Sequence, residues 1–558
     1  MGRPADAAPP GRDRRLAAAV ALLALVLHLP GCFWGLPSGK AVVGGCIVLD
    51  GGVPYRDFWS MYAPGQFYAV AGLFAVFGRE LLVQGIATAA LWALSSAALF
   101  RLARLLGVGR SAAAGLGLAL AAMNWRTAPE LTGYPPAFLL LLLAAGELAR
   151  YLRGGGGRAL VRAGLAAGAA ALFKHDVAAY VTAAAGAALT LAWLACAAPR
   201  PPIWLHPARA LLHLGAAAAA VVLPAALALA LVAGPDAWRA LLVFPATDFA
   251  GVRAEAYPPW APPAEALRAW GAAPSDPVLL REAAGRTRAW LVGHLPELIF
   301  AAAAPALYLR RRSLAPTAVG GALLCLAVLP LLWVAAHVQQ NTHFNSMGTF
   351  GLLLLALLGS GLRAKPGRAL LGAAAAVYAV GLCIAPALAA GRALLEWEGS
   401  QRLELPGLRG VRVPAADREV VEPLARFVAE HVPAGEPIHV GLVRHDATVI
   451  SRQVLYFAVG RPPATRYPEL HPGVSDRAAV QREMIAAIEA TGARCVILWE
   501  FGWPHEVLEQ VRDRNRAAVP DAGSTLLDAW LRERFAPLAQ FGEYHLGWRA
   551  DLPRPPGW

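Results

Sequence analysis

Charge is in short supply in this sequence, and so are the signatures of metal or nucleotide chemistry. Of 558 residues only 16% are charged while 57% are hydrophobic, and the mean hydropathy is +0.48. A soluble chain of this length needs a far more polar surface, so a polytopic membrane protein is expected. The six cysteines (Cys32, Cys46, Cys196, Cys325, Cys383, Cys495) lie mostly in apolar runs, with no CxxC or metal-ligand spacing, which fits small core residues. No GxGxxG or Walker loop is present, so nothing argues for a nucleotide. No cofactor is expected, with a divalent cation left open, and no internal repeat is visible. Ala-rich tracts such as Ala216–Ala220 suit close helix packing.

The net charge of +13 raises the question of nucleic acid. Basic side chains here punctuate apolar segments instead of clustering on a polar surface, so orientation in a membrane explains them and nucleic acid is set aside. Apolar runs near Leu16–Trp34, Leu81–Phe100, Ser111–Met123, Tyr134–Ala149, Leu160–Phe173, Val177–Ala198, Ala208–Ala233, Ala289–Leu309, Pro316–Ala336, Ser346–Leu362 and Ala369–Ala390 give about eleven crossings. Arg12, Arg14 and Arg15 precede the first run, but no small-residue cleavage site follows and Phe33-Trp34 reads as an interfacial anchor, so it is kept as a span.

Alternate connections are rich in arginine: Arg101, Arg104 and Arg110; Arg150, Arg153, Arg158 and Arg162; Arg200 and Arg209; Arg310 to Arg312; Arg363, Lys365 and Arg368. These predict the cytoplasmic face of the membrane, with the N-terminus on that side. Carboxylates gather in the opposite loops, and an odd number of crossings places the C-terminal part outside as well. Two outward loops are long, 35–80 and 234–288, the second with a Pro- and Trp-rich middle at Tyr257–Pro263. Within the first, Lys40–Leu49 and Gln66–Phe77 are apolar but too short to span, which predicts helices along the interface. Residues 1–390 therefore read as a transmembrane domain. Residues 391–558, richer in charge, read as a soluble extracytoplasmic domain. Strands over Pro437–Val443 and Arg494–Trp499 and helices over Arg418–His431 and Arg477–Thr491 make it a small α/β layer.

Several polar positions carry possible chemistry. Asp57, in Pro54-Tyr-Arg-Asp-Phe-Trp59, is a candidate general base for an acceptor hydroxyl, or a partner of Arg56 with a purely structural part. Asp50 is a second carboxylate of that loop, or a turn residue before Gly51-Gly52. Glu130 sits in the polar turn Asn124–Pro136 and either meets substrate or a cation or pairs with Arg126. Lys174-His-Asp176 interrupts two apolar runs, so Lys174 is a candidate for a lipid-linked phosphate, or is neutralised by Asp176. His343, in His337–Asn345, is a phosphate contact, a metal ligand or an interfacial histidine.

The first outward loop, with Gly51–Phe58 followed by Pro64–Tyr68, the lysine after Gly164–Phe173, and many spans with an outward C-terminal domain resemble bacterial membrane glycosyltransferases of the GT-C fold. Those are relatives of protein O-mannosyltransferases and of the lipid A aminoarabinose transferase. The resemblance implies a polyprenyl-phosphate sugar donor arriving from the outer leaflet, and an acceptor hydroxyl attacking the anomeric carbon with inversion. By motif position Asp57 is the aspartate of the Y-R-D element, with Tyr55 and Arg56 beside it for substrate, while Lys174 and His343 fall where the phosphate is met. Membrane lipids and an extracytoplasmic lipid, glycan or protein acceptor are the implied partners. One departure stands out: where relatives carry an acidic residue soon after the first span, this chain reads Leu36-Pro-Ser-Gly-Lys40, leaving Asp50 or Asp57 to serve. A non-catalytic transporter or scaffold is the rival reading, although the paired broken helices of two matching halves are not seen. An O-antigen ligase or polymerase would show a different outward loop.

Overall fold

Apolar segments without water must satisfy every peptide group internally, and this chain does so with helices. The computed structural model describes residues 10–126, 128–195, 205–253, 290, 294, 297, 299–309, 316–339, 344–360, 365–449 and 451–558. His343 and most of the 234–288 loop lie outside them. The helices relevant here are α1 (Pro10–Cys32), α2 (Lys40–Leu49), α3 (Gly65–Phe77), α4 (Leu81–Leu105), α5 (Arg110–Met123), α6 (Tyr134–Leu152), α7 (Gly157–Ala171), α8 (His175–Ala195) and α9 (Pro207–Ala233).

Among the described residues, five helices, α1, α4, α6, α8 and α9, are long and apolar enough to cross a bilayer, and a bent pair over Leu371–Leu395 would make six. The expected span at Pro316–Ala336 lies in a helix of 24 residues, Pro316–Gln339, while others are shorter helices, such as α5 with 14 residues and Ile299–Leu309. At about 1.5 Å per residue such a helix falls short of a hydrocarbon core about 30 Å thick. Among the described residues, crossings near eleven are therefore supported by length and composition at five or six. α7 and α9 pack closely because Gly164 and Gly168 lie against the α9 backbone, where a Cβ would come within 2.3 Å of the Leu214 carbonyl oxygen and 2.6 Å of that of Ala218.

At one end of the bundle Asp13 accepts from Arg104 at 3.1 Å and Arg110 at 2.7 Å, and Glu147 pairs with Arg150 and Arg162. The arginine-rich end is thus partly neutralised by its own carboxylates. Helices α2 and α3 lie at the other end, where they are too short to span.

The C-terminal part begins after a helix over Lys365–Leu395. Strands β1 (Ser400–Arg402) and β2 (Arg412–Pro414) pair antiparallel. A four-stranded sheet follows in the order β3 (His439–Leu442), β4 (Cys495–Trp499), β6 (Tyr544–Arg549) and β5 (Phe535–Phe541), with β3 and β4 parallel and the rest antiparallel. Helices over Ala415–His431 and Ala478–Thr491 pack beside it. Its buried apolar strands β3 and β4 and its amphipathic helices match the sequence pattern.

This sheet domain is welded to the 35–80 loop. Its core, which includes Leu408, Val440 and Leu455, is continuous with Ala41, Val42 and Val43 of α2 and with Val70 and Phe74 of α3. Each fully buried aliphatic side chain in such a seam contributes roughly 1.5–3 kcal/mol. Backbone bonds reinforce it: Gly35 N–H to Arg412 O at 2.8 Å, Val454 N–H to Ser38 O at 3.1 Å and Trp59 N–H to Arg466 O at 2.6 Å. Gly39 sits at φ +92° with its α-carbon so close to Val454 that a Cβ would fall 2.1 Å from the Val454 nitrogen. Only glycine fits there.

Candidate functional site

A cavity of about 860 Å³ opens where the end of α1, the 35–63 loop, the 124–135 turn, the start of α8 and the C-terminal domain meet. Glu130 and Lys174 line it, together with Lys40, Tyr62, Arg126, Asp176, Arg253, Glu469 and His471. Among the expected site residues, two therefore converge. Asp50, Tyr55, Arg56 and Asp57 do not line it.

The Y-R-D element is a clamp. The Asp57 carboxylate accepts from the Val53 N–H at 2.7 Å and from Arg56 at 2.9 and 2.7 Å, and Tyr55 N–H reaches Phe58 O at 2.7 Å. Tyr55 is held at φ +71°, with its ring fully buried and its hydroxyl donating to Tyr62 O at 2.6 Å. The bond from Arg56 keeps the Asp57 carboxyl below its usual range, the wrong direction for a base that must take up a proton. Asp50 is exposed and committed to Arg79, with one bond of 3.1 Å. The motif that drew attention in the sequence thus shapes the loop from outside the cavity, and the base assignment moves away from Asp50 and Asp57 for that reason. His343 lies outside the described residues.

What the clamp positions is Tyr62. Its hydroxyl oxygen accepts from Lys40 Nζ at 3.0 Å, and Lys40 in turn lies 3.9 Å from Glu469 of the C-terminal domain. Burial alone would lower the Lys40 ammonium, but Tyr62, Glu469 and Glu130 outweigh it and raise its proton affinity. Burial raises the Glu469 carboxyl, Lys40 opposes that, Glu130 adds to it and Arg253 opposes it. Glu130 is held in place twice over, accepting from Ser38 Oγ at 2.6 Å and from the Ala41 N–H at 2.7 Å at the start of α2. Its turn is fixed by two buried glutamines: Gln84 Oε1 accepts from Leu131 N–H at 2.8 Å, and Gln66 Oε1 from Gly133 N–H at 2.7 Å.

On the opposite wall Lys174 donates to Asp176 at 3.1 Å just before α8 begins. Arg253, at the end of a short helix, donates to Val449 O at 2.9 Å. His471 is buried beside Trp59, Phe244 and Phe249, and that burial pushes its imidazole down to about 3, so it is neutral near pH 7. The cavity thus combines cationic groups suited to a phosphate with buried carboxylates and aromatic walls. Among the described residues no cluster of His, Cys, Asp and Glu is arranged to hold a metal ion.

Lys40, Tyr62, Arg253, Glu469 and His471 escaped the sequence reading. One signal was available: the chain has only three lysines, Lys40, Lys174 and Lys365, in a background of arginine, and two of them line this cavity. Lysine is the compact, pKa-adjustable cation, so its sparing use marks positions where arginine does not serve.

No family model matches the sequence, and no curated protein matches it. Among solved structures the fold is similar to that of ArnT from Cupriavidus metallidurans, determined bound to undecaprenyl phosphate, with a TM-score of 0.52 and 15% identity over 98% of this chain and 100% of that one. The chain therefore has an ArnT-like fold.

Proposed function

We propose that this protein is a membrane glycosyltransferase that moves a sugar from a polyprenyl-phosphate donor to an extracytoplasmic acceptor with inversion at the anomeric carbon. The observation that carries the reading is the single cavity at the loop end of the bundle, where Lys40, Lys174 and Arg253 face Glu130 and Glu469. Its support is the likeness, over 98% of this chain, to the fold of a structure determined bound to undecaprenyl phosphate.

The chemistry asked of such a cavity is modest. The acceptor oxygen bonds to the anomeric carbon, the bond from that carbon to the donor phosphate oxygen breaks, and the acceptor proton passes to a carboxylate. Lys174 and Arg253 would hold the departing phosphate, whose charge grows as the bond breaks. Glu130 would keep the start of α2, and with it Lys40, in position. Aromatic walls from Trp34 and Tyr62 would exclude water that would otherwise hydrolyse the donor. The protein would work at the outer face of a bacterial inner membrane, with the C-terminal domain on that side.

The test is release of undecaprenyl phosphate from its phosphoglucose, phosphomannose and phospho-N-acetylglucosamine esters, supplied to membranes of the source cell. Turnover of at least one by wild type and a loss of about 10-fold or more in Lys174→Ala are expected. Failure of wild type with all of them, alongside movement of intact lipid between leaflets, would favour a transporter.

A further inference from the structure

The carboxylates of the cavity differ in how far they are already committed. Both oxygens of Glu130 accept from the chain, at 2.6 Å from Ser38 Oγ and 2.7 Å from the Ala41 N–H. Asp176 is bonded to Lys174 at 3.1 Å, and Asp417 is solvent-exposed at the rim. Glu469 is different: its side chain is 6% exposed, and its one ion pair, to Lys40, spans 3.9 Å, beyond hydrogen-bonding distance. Among the described residues no hydrogen bond reaches its carboxylate. The residue is largely buried, yet it lines the polar cavity with an uncommitted carboxylate that an incoming hydroxyl can reach.

We propose that Glu469, from the C-terminal domain, is the general base that takes the proton of the acceptor hydroxyl, with Lys40 as its positioning cation. This rests on the transferase reading above. An acceptor O–H donating to Glu469 supplies the missing hydrogen bond. As the oxygen bonds to the anomeric carbon the proton moves to the carboxylate, and the sugar–phosphate bond breaks with its electron pair leaving on the polyprenyl phosphate. Lys40 favours the ionised form of Glu469, and its hydrogen bond goes to Tyr62 instead of to the carboxylate. Burial and the neighbouring Glu130 raise the proton affinity of Glu469 above that of an ordinary glutamate, while Lys40 and Arg253 oppose this, and neutral His471 adds no charge. A raised proton affinity favours uptake of the acceptor proton. A base at Glu469 also gives the C-terminal domain a part in chemistry, through the segment Tyr467-Pro-Glu-Leu-His471 that bridges the sheet domain and the loop.

The experiment uses full-length wild type, Glu469→Gln, Glu469→Asp and Glu469→Ala in membranes of the source cell, with the same three undecaprenyl-phosphate sugars. Binding is read by thermal shift with undecaprenyl phosphate. Expected results are an unchanged thermal shift in all variants, a loss of turnover of at least about 100-fold in the Gln and Ala forms, and partial activity in the Asp form. Added azide, a nucleophile with no proton to lose, should restore phosphate release by Glu469→Ala and form the glycosyl azide. Rescue of that kind needs a folded site that lacks only its base. Turnover of Glu469→Gln within about threefold of wild type, or a Glu469→Ala form that binds lipid yet gains nothing from azide, overturns the inference and leaves the transferase reading standing. A wild type that turns over none of the three donors overturns both.

Discussion

Lys40, at the first position of α2, and Glu469, in the C-terminal domain, lie 3.9 Å apart across the wall of the cavity. The pair joins the loop after the first helix to the far end of the chain, so the site is complete only when both parts are docked. Removing the cation without replacing it leaves a buried carboxylate unpaired.

Lys40→Met should therefore act on pH dependence as well as on rate. Lys40 opposes the upward pull of burial on Glu469, so without it the Glu469 carboxyl rises further. A base must be ionised, so the acid limb of turnover should move to higher pH, with a loss of about 10-fold or more near pH 7. A pH–rate profile of both proteins checks this. An unmoved acid limb would separate Glu469 from the rate.

Asp57→Asn should cost little. The amide oxygen can still accept the Val53 N–H that closes the loop, and the pair with Arg56 is exposed. Turnover within about twofold of wild type is expected. A folded Asp57→Asn protein that releases no donor phosphate would return the base to the first loop.

Gly39→Ala should undock the C-terminal domain. At φ +92° the new Cβ is strained, and it would collide with the Val454 backbone. The combined cost should exceed about 3 kcal/mol. Thermal unfolding in detergent would fall sharply, and undecaprenyl phosphate would no longer stabilise the protein.

Asp476 sets a stability window remote from the cavity. Burial raises its carboxyl to about 7 from 3.8, against an opposing bond from Asn515 at 2.9 Å. The folded protein therefore binds a proton that the unfolded chain has released between those values, so stability falls as pH rises from about 4 to about 7. Asp476→Asn should raise stability on the order of 1 to 3 kcal/mol at pH 8 and leave it nearly unchanged at pH 4. Melting curves at the two pH values check the sign.

Local pattern accounts for much of what the sequence reveals. Apolar run length and arginine spacing announce the helices, and alternation in the tail locates β3, β4 and the helices beside them, because both signals arise from neighbours within a few residues. Lys174 and Glu130 were legible as charged interruptions of apolar sequence, which a membrane tolerates only beside a cavity or a partner.

The ambiguous case was Pro54-Tyr-Arg-Asp-Phe-Trp59. Adjacent arginine and aspartate suit a base beside a phosphate or a loop clamp equally well, and only the backbone decides, by turning Asp57 back onto Val53 and directing Tyr55 inward.

By itself, then, the sequence determined a membrane-embedded helical bundle with an α/β tail, since hydropathy and periodicity are properties of neighbouring residues. Tertiary structure alone decided which charges share a cavity. Lys40, Tyr62 and Glu469 come from a helix start, a loop and a separate domain, and they meet because the core of α2 and α3 continues into that domain, a closure for which local sequence carries no signal.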